Sequence, residues 1–372
     1  MTYSLTGSER VRAGAIQAGA ADALTLSGNL GLLTSSPVHP FSMTYAGGAI
    51  VSEGGGKSYI FQDLTVSQQY TTKNWQLLGT DSLLYTPETG GAGLSGVPGV
   101  GSVGVPPTTA PDGVLTNDQA SLANSSSGSA IRTLTGRTSA GVQGDYQSWR
   151  FVGDGTSTSL YSGDSWSMGA LMQHHLNALN TLSANYTYTD LTYGGLAGKI
   201  LVQSLEFQLQ RSWTRRLAMN LGGGPQRVMG LGYSFASDAS MTYEFERGSA
   251  SVNFSRGVES GSGVSAGVHQ TSVDASISHQ LGYQWSGSVT GGYRDSTGLT
   301  VLTKNSTGYR GFSTSAEINR ALLRHLSVFG SYTGERQRVS GTQASPLALN
   351  GFVQYFSFGI TYSPSGLRIG RH

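Results

Sequence analysis

Apolar and polar side chains alternate with a period of two along most of the chain, charged residues make up only 12% of it, and the connections switch in turn between short and long. Together these predict an all-β fold: a transmembrane, antiparallel, up-and-down β-barrel of about 18 strands, with about 16 as the next count. Successive strand side chains point to opposite faces, so the alternation gives each strand one oily and one polar face. The charged fraction is about half that of soluble domains, and Ser, Thr, Asn, Gln and Gly supply the polarity instead. Such a surface suits a wall with lipid outside and water within. The short connections are expected on the periplasmic side and the long ones outside the cell.

In chain order, Tyr3 to Ala15 is the first expected strand, interrupted by Glu9, Arg10 and Arg12. Leu24, Leu26, Leu30 and Leu32 alternate with Thr25, Ser27 and Asn29 in the second. Pro37 and Pro40 punctuate a turn, because proline cannot donate into a ladder. Phe41, Met43, Tyr45, Ala49 and Val51 form the next outward row, before the loop Glu53 to Lys57. Ile60, Leu64, Val66 and Tyr70 alternate with Asp63, Thr65, Ser67 and Gln69, and a turn at 72–74 leads into Trp75 to Tyr85. The Gly-, Pro- and Thr-rich segment from Thr86 to Asp118 then breaks the pattern. A loop of that length is usually functional or disordered. Its core at 87–118 is expected to stand outside the barrel or to fold inward, with Leu94, Val97, Pro98 and Val100 as candidate constriction residues.

Strands follow at Ser121 to Leu134 and Thr138 to Phe151, then, after a loop at 153–163, at Trp166 to Met172 and Leu182 to Tyr188. The clearest stretch is Ile200 to Glu259. There Leu201, Leu205, Phe207, Leu209 and Trp213 oppose Ser204, Glu206, Gln208, Gln210 and Ser212. Leu217, Met219 and Leu221 oppose Arg216, Ala218 and Asn220. Tyr233, Phe235, Ala239, Met241, Tyr243 and Phe245 oppose Ser234, Asp238, Ser240, Thr242 and Glu244, and Val252 and Phe254 oppose Ser251, Asn253 and Ser255. The remaining strands are Val264 to Gln280, Tyr283 to Asp295, Gly308 to Ala321, Arg324 to Arg338 and Phe352 to Tyr362. The whole chain, 1–372, is expected to form one barrel domain.

Composition also excludes whole classes of function. A net charge of +2 and no dense Lys/Arg cluster argue against nucleic acid. The absence of cysteine removes disulfides, thiolate metal sites and cysteine nucleophiles. No run of about eighteen apolar residues is present to form a transmembrane helix. The 54 glycines suit a wall that curves or whose backbones approach closely. The 18 tyrosines, 12 phenylalanines and five tryptophans are enough for girdles at the two membrane interfaces. The N-terminus lacks a basic region followed by an apolar core, so a leader for the outer membrane is expected to have been removed or trimmed.

Candidate sites are few. His174 and His175 are adjacent on one strand, so they point to opposite faces and cannot chelate one ion; a polar residue on each face near the rim is the simpler account. Many serines are present but none is marked as a nucleophile, so no catalytic residue, metal or cofactor is expected. The charges expected on the lumen face are Asp63, Asp145, Glu206, Asp238, Glu244, Asp274 and Glu317, against Arg216 and Arg294. Carboxylates inside hydrocarbon would be costly, which fixes their side. They predict either a mildly cation-preferring lumen or, if they pair with arginines, a stiffened wall. The Gln208-Gln210, Gln143-Gln147 and Thr187-Thr189 rows offer partners for sugar hydroxyls or simply for water.

The segments Pro40-Phe41-Ser42-Met43-Thr44-Tyr45-Ala46-Gly47-Gly48 and Gly93-Leu94-Ser95-Gly96-Val97-Pro98-Gly99-Val100-Gly101, with Tyr-rich strands closed by short turns, resemble a family of uncharacterised outer-membrane β-barrel proteins of acidobacteria-like Gram-negative bacteria. The resemblance covers most of the chain and implies the barrel fold. Such barrels are similar in strand number to the outer-membrane pores of exopolysaccharide secretion systems, which implies glycan export as one function. The family supplies no functional motif, so the resemblance implies no binding residue. The expected function is an outer-membrane pore for hydrophilic solutes, with a dedicated exopolysaccharide export channel as the alternative. A non-conducting structural or adhesive surface barrel is the reading from another class. Expected partners are outer-membrane lipid and lipopolysaccharide, with periplasmic export components or glycan in the export case.

Overall fold

A computed structural model describes residues 2–14, 23–34, 36, 38–52, 59–86, 120–152, 161–261, 265–300, 307–340 and 350–364. The segments expected as loops at 53–57 and 87–118, including Leu94, Val97, Pro98 and Val100, lie outside the described residues. What is described is all-β. The strands are β1 (Thr2–Gly14), β2 (Ala23–Leu33), β3 (Phe41–Ser52), β4 (Tyr59–Thr71), β5 (Trp75–Thr86), β6 (Ala120–Thr133), β7 (Thr138–Val152), β8 (Gly163–His175) and β9 (Asn180–Tyr193). They continue with β10 (Lys199–Ser212), β11 (Leu217–Val228), β12 (Gly232–Phe245), β13 (Gly248–Glu259), β14 (Val268–Gln280), β15 (Trp285–Gly298), β16 (Gly308–Leu323), β17 (Leu326–Ser340) and β18 (Gly351–Tyr362).

Each strand pairs antiparallel with its neighbours in sequence, and β1 pairs with both β2 and β18, so the 18 strands close on themselves. Closure leaves no strand edge, so the backbone donors and acceptors find partners inside the wall, apart from a break in the β10–β11 ladder at Leu205 and Glu206, where β11 carries Pro225. Thr6 and Thr361 meet across this seam, their hydroxyls 3.1 Å apart.

The side chains divide as the alternation predicts. On β10, Leu205 and Phe207 are exposed on the outer face, while Ser204 and Glu206 border the interior. Tyr233, Phe235 and Met241 on β12 likewise face out, at 79%, 60% and 46% exposure. With no water beyond them, these rows form the lipid-facing belt. At the end carrying the short turns, Trp75, Trp213 and Trp285 face outward, each beneath an arginine: Arg132 at 5.6 Å, Arg211 at 4.1 Å and Arg320 at 5.0 Å from the ring centre. A ring in the interface with a guanidinium over it anchors that level of the barrel at the headgroups. At the other end, outward-facing Arg150 forks onto Asp164 at 2.8 Å, with Tyr146 donating to the same carboxylate, and Arg310 and Tyr293 do the same to Asp295. A closed barrel with this belt and these girdles is a transmembrane β-barrel, and it belongs in the outer membrane.

The connections depart from a strict division into short and long. On the short side, 34–40 joins β2 to β3, while on the long side 194–198 and 229–231 are tight turns. Positive φ at Gly195 (81°) and Gly198 (125°), and at Gly230 (91°) and Gly232 (108°), lets the chain reverse there within a few residues. β14 begins at Val268, later than the sequence suggests, because the chain turns inward at 265–267, where Gly267 has φ of 72°.

Glycines within the wall make room for aromatic rings. On the lumen face the Phe61 ring lies over Gly48, the Phe329 ring over Gly359 and the Trp149 ring over Gly163. A side chain at Gly359 would strike both the Phe329 ring and the Gly7 carbonyl. We therefore expect Gly359→Val to lower stability by about 1–3 kcal/mol. Gly291→Val, where the nearest atom to a new Cβ is the Ser313 carbonyl at 3.9 Å, serves as the mild comparison. Urea unfolding in lipid vesicles, followed by tryptophan fluorescence, reads the difference; equal midpoints would discount the ring-over-glycine account.

Candidate functional site

The interior is packed toward the loop end and open toward the turn end. Leu191 and Tyr193 from the end of β9, Ile200 and Val202 from the start of β10, Val228 from β11, Ala266, and Leu299 after β15 form one buried apolar cluster. Trp149, Tyr161 and Leu196 pack around it. Ala266 belongs to the β13–β14 connection, so this connection reaches across the interior to β9 and β10. The Tyr193 hydroxyl donates to the Ser260 carbonyl, the Gly267 N–H to the same carbonyl at 3.3 Å, and the Leu299 N–H to the Gly267 carbonyl at 3.0 Å. Trp149 stacks edge-on to Tyr193 at 5.8 Å and donates its indole N–H to the Tyr161 carbonyl at 3.0 Å.

On the turn side of this connection lies a cavity of about 360 Å³. Its wall includes Asp145 from β7, Glu206 from β10, Asp238 from β12 and Glu259 from β13, with Gln147, Thr187 and Thr189 between them and Leu191, Val202 and Val258 toward the loop end. Asp145 accepts from the Ser167 hydroxyl at 3.1 Å. Asp238 accepts from the amides of Gln208 at 3.4 Å and Asn220 at 3.3 Å. These are neutral donors, which orient a carboxylate without cancelling its charge. Glu206, Asp238 and Glu259 border the same cavity, so like charges face one another there. Among the described residues the ion pairs Arg150–Asp164, Lys199–Asp190 and Arg310–Asp295 all lie on outward registers, and none involves these four lumen carboxylates. Pairing with arginine, one of the two sequence expectations for these groups, is therefore not what holds Asp145, Glu206 and Asp238.

The other candidates are placed as follows. Asp274 stands opposite Asn253 and Gly292, Arg294 opposite Ser272, and Asp63 opposite Ala46, all on the interior register. Glu317 lines a second interior cavity, of about 250 Å³, with Arg247, Ser278 and Ser288 near the turn end. Gln210 and Glu244 lie at the same end and are exposed. Arg216 sits in the turn before β11, one residue outside the strand, where its carbonyl accepts from the Glu244 N–H at 2.7 Å. Glu259 was not singled out from the sequence, although it continues the polar row of Ser251, Asn253 and Ser255. His174 and His175 bond separately to Thr138 and Thr181, each at 2.9 Å, and the described residues contain no group of three or more His, Asp or Glu fit for a metal.

Between β13 and β16 the interior carries paired hydroxyls: Ser249 with Ser278 at 3.1 Å, Ser251 with Ser276 at 2.8 Å, Ser255 with Ser272 at 2.7 Å and Thr290 with Ser315 at 2.6 Å. Each pair satisfies one hydroxyl proton and leaves lone pairs and a second proton for solvent or solute. Fold and interior together define a transmembrane barrel with a polar, acid-lined lumen narrowed at its loop end.

No family model matches the chain, and no curated protein matches it. Among solved structures it is similar to OccK2 (OpdF) of Pseudomonas aeruginosa, at 12% identity over 98% of each chain with a TM-score of 0.49. It is also similar to the outer membrane protein OpdK of Pseudomonas aeruginosa, at 10% identity over 98% of each chain with a TM-score of 0.47. The siderophore receptor PirA of Pseudomonas aeruginosa is a further likeness, at 10% identity over 97% of this chain and 80% of that one, with a TM-score of 0.42.

A side chain at Gly267 would come within 2.9 Å of Ile200 Cδ1 and 3.1 Å of Leu299 Cδ1, on a backbone already at positive φ. Gly267→Val is therefore expected to dislodge the β13–β14 connection from the cluster. Limited proteolysis of the folded barrel in vesicles should cut this connection faster than in the parent, and an unchanged cleavage rate would argue against the packing described.

Proposed function

We propose that this barrel is a water-filled pore through which small hydrophilic solutes, cations ahead of anions, cross the outer membrane. The observation that carries the proposal is the interior acidic wall: Asp145, Glu206, Asp238 and Glu259 border open volume within a closed barrel, against Arg256 as the one cation on the same lining, and none of the four is in an ion pair among the described residues. Barrels of sixteen to eighteen strands usually leave an aqueous channel. Carboxylates facing a narrow, low-dielectric conduit raise the local cation concentration and repel anions. No residue is assigned a catalytic role, and the partners of this reading are outer-membrane lipid and lipopolysaccharide.

Two other readings stay in play. The paired hydroxyls on β13–β16 favour a wall that a glycan could slide along, which is the support for exopolysaccharide export with periplasmic components; membership of the acidobacterial barrel family belongs to the same proposal and rests on the sequence resemblance. The apolar cluster at the loop end favours a closed structural or adhesive barrel.

Planar-bilayer recording separates them. A steady conductance with a cation-signed reversal potential in a KCl gradient is expected, and Glu206→Gln with Asp238→Asn should reduce that potential by roughly half, more so at low salt where screening is weak. An anion-signed potential would reject the cation preference. Absence of conductance, persisting when residues 87–118 are deleted, would favour the closed barrel.

A further inference from the structure

The arginines at the turn end hold nothing within the protein. Arg132, Arg211 and Arg320, stacked on Trp75, Trp213 and Trp285, take part in no ion pair and no side-chain hydrogen bond among the described residues. The three indole N–H groups have no acceptor among those residues either, whereas that of Trp149 donates to the Tyr161 carbonyl. Each guanidinium carries five donors and no acceptor, and each indole one donor. All six side chains are exposed on the outward register, so they point sideways at the level where the belt meets the headgroups.

A further cation stands beside each stacked pair. Lys73 lies two residues before Trp75, Arg215 two after Trp213 and Arg324 four after Arg320, all three exposed in turns. The turn after β10 is pinned: Thr214 Oγ1 accepts from the N–H groups of Arg216 at 3.1 Å and Leu217 at 3.0 Å, and the Trp213 N–H donates to the Leu217 carbonyl at 2.9 Å. Glu246 is the only carboxylate in the tight turns of this end, at 72–74, 134–137, 176–179, 213–216, 246–247, 281–284 and 324–325, and it pairs with none of these cations. The same turns expose Leu134, Leu179, Leu281 and Tyr283. Apolar residues mixed with cations and almost without carboxylates suit an anionic membrane interface better than open water.

We propose that the turn-end rim binds anionic glycerophospholipid of the periplasmic leaflet, with a headgroup phosphodiester seated on each of these three sets of ring, stacked arginine and turn cation. The phosphate accepts paired N–H donors from the guanidinium and a further one from the indole. Two cations per set repel the ammonium of a zwitterionic headgroup, so the sets select a headgroup of net negative charge. The acyl chains then lie along the outward rows, such as Leu205 and Phe207 beyond Trp213. A periplasmic protein is not the occupant, because the rings and stacked guanidinium groups face sideways into the bilayer. The sets stand on β5, β10 and β15, about 24 Å apart along the wall, so each takes its own lipid. The loop end has no equivalent: Arg150, Lys199 and Arg310 hold carboxylates there. Arg227 lies over Tyr233, but the turn beside it, 229–231, has no cation, and Arg336 and Arg338 on β17 lie over no ring among the described residues.

Native mass spectrometry of the folded barrel, released from detergent with phosphatidylglycerol or phosphatidylcholine added in equal amounts, reads the lipid retained. The parent should keep up to three phosphatidylglycerols and several-fold less phosphatidylcholine. Arg211→Gln with Arg215→Gln should lower the number kept to two. A heat-dependent shift in gel mobility checks that this variant is still a folded barrel, and Arg320→Gln with Arg324→Gln repeats the test if it is not. Arg336→Gln with Arg338→Gln, at the loop end, should keep the parent number. Equal retention of the two phospholipids, phosphatidylglycerol binding indifferent to Arg211 and Arg215, an equal loss on substituting Arg336 and Arg338, or lipid A held through Arg211 and Arg215 ahead of phosphatidylglycerol would each overturn the proposal.

Discussion

A peptide group in hydrocarbon has no water to bond, and the rest of this structure follows from that. Strands can satisfy the constraint only by closing, and β1 closes the sheet by bonding to β18 on one side and β2 on the other. Once the sheet is closed, each strand has one face toward lipid and one toward the lumen, and its register decides which. A slip of one residue in β10 would turn Glu206 to the lipid and Phe207 to the water, so polarity pins the register as firmly as the ladder does.

The same charged groups behave differently on the two faces. At the loop-end rim, Asp164 and Asp295 face outward and each is clasped by an arginine and a tyrosine. In the lumen, Asp145 and Asp238 hold only neutral donors. Water inside the barrel stabilises an unpaired carboxylate, whereas at the edge of the hydrocarbon a carboxylate needs a counter-charge within reach. The loop end of the interior is not wet: Ile200, Leu191 and Ala266 are packed as tightly as in a soluble core. From the turn end inward, the interior is thus a polar vestibule followed by an apolar narrowing.

The strands and their count were legible in the sequence because period-two alternation is a local property. Glu206, Asp238 and Asp145 fell on the interior face by the same rule. It was silent on β5, where Leu77, Leu78, Leu83 and Leu84 put apolar residues on both registers, so that Asp81 could be assigned to neither face. Only its pairing with Ser126, and through it with Tyr146, shows the carboxylate on the outside. The rule also fails where tertiary contact decides: Ala266 and Gly267 lie in a polar, glycine-rich stretch, and nothing local says that this stretch reaches Tyr193 and Ile200. Arg216 stands in a turn of four residues, one step outside the alternation that Leu217 begins, a boundary that period two alone does not mark.

The seam between Thr6 and Thr361 joins residues 355 apart in the chain. The first strand must therefore wait, unpaired on one edge, until the last has been delivered. Loop-closure entropy makes such a contact late, and an open curved sheet with two free edges is an invitation to pair with a neighbour. Biogenesis of this barrel thus needs something to shelter β1 during that interval. Once the ends have met, Leu5 lies opposite Tyr362, and the chain becomes a ring in all but covalency, one in which a new start could be cut at another turn without changing a single strand pair.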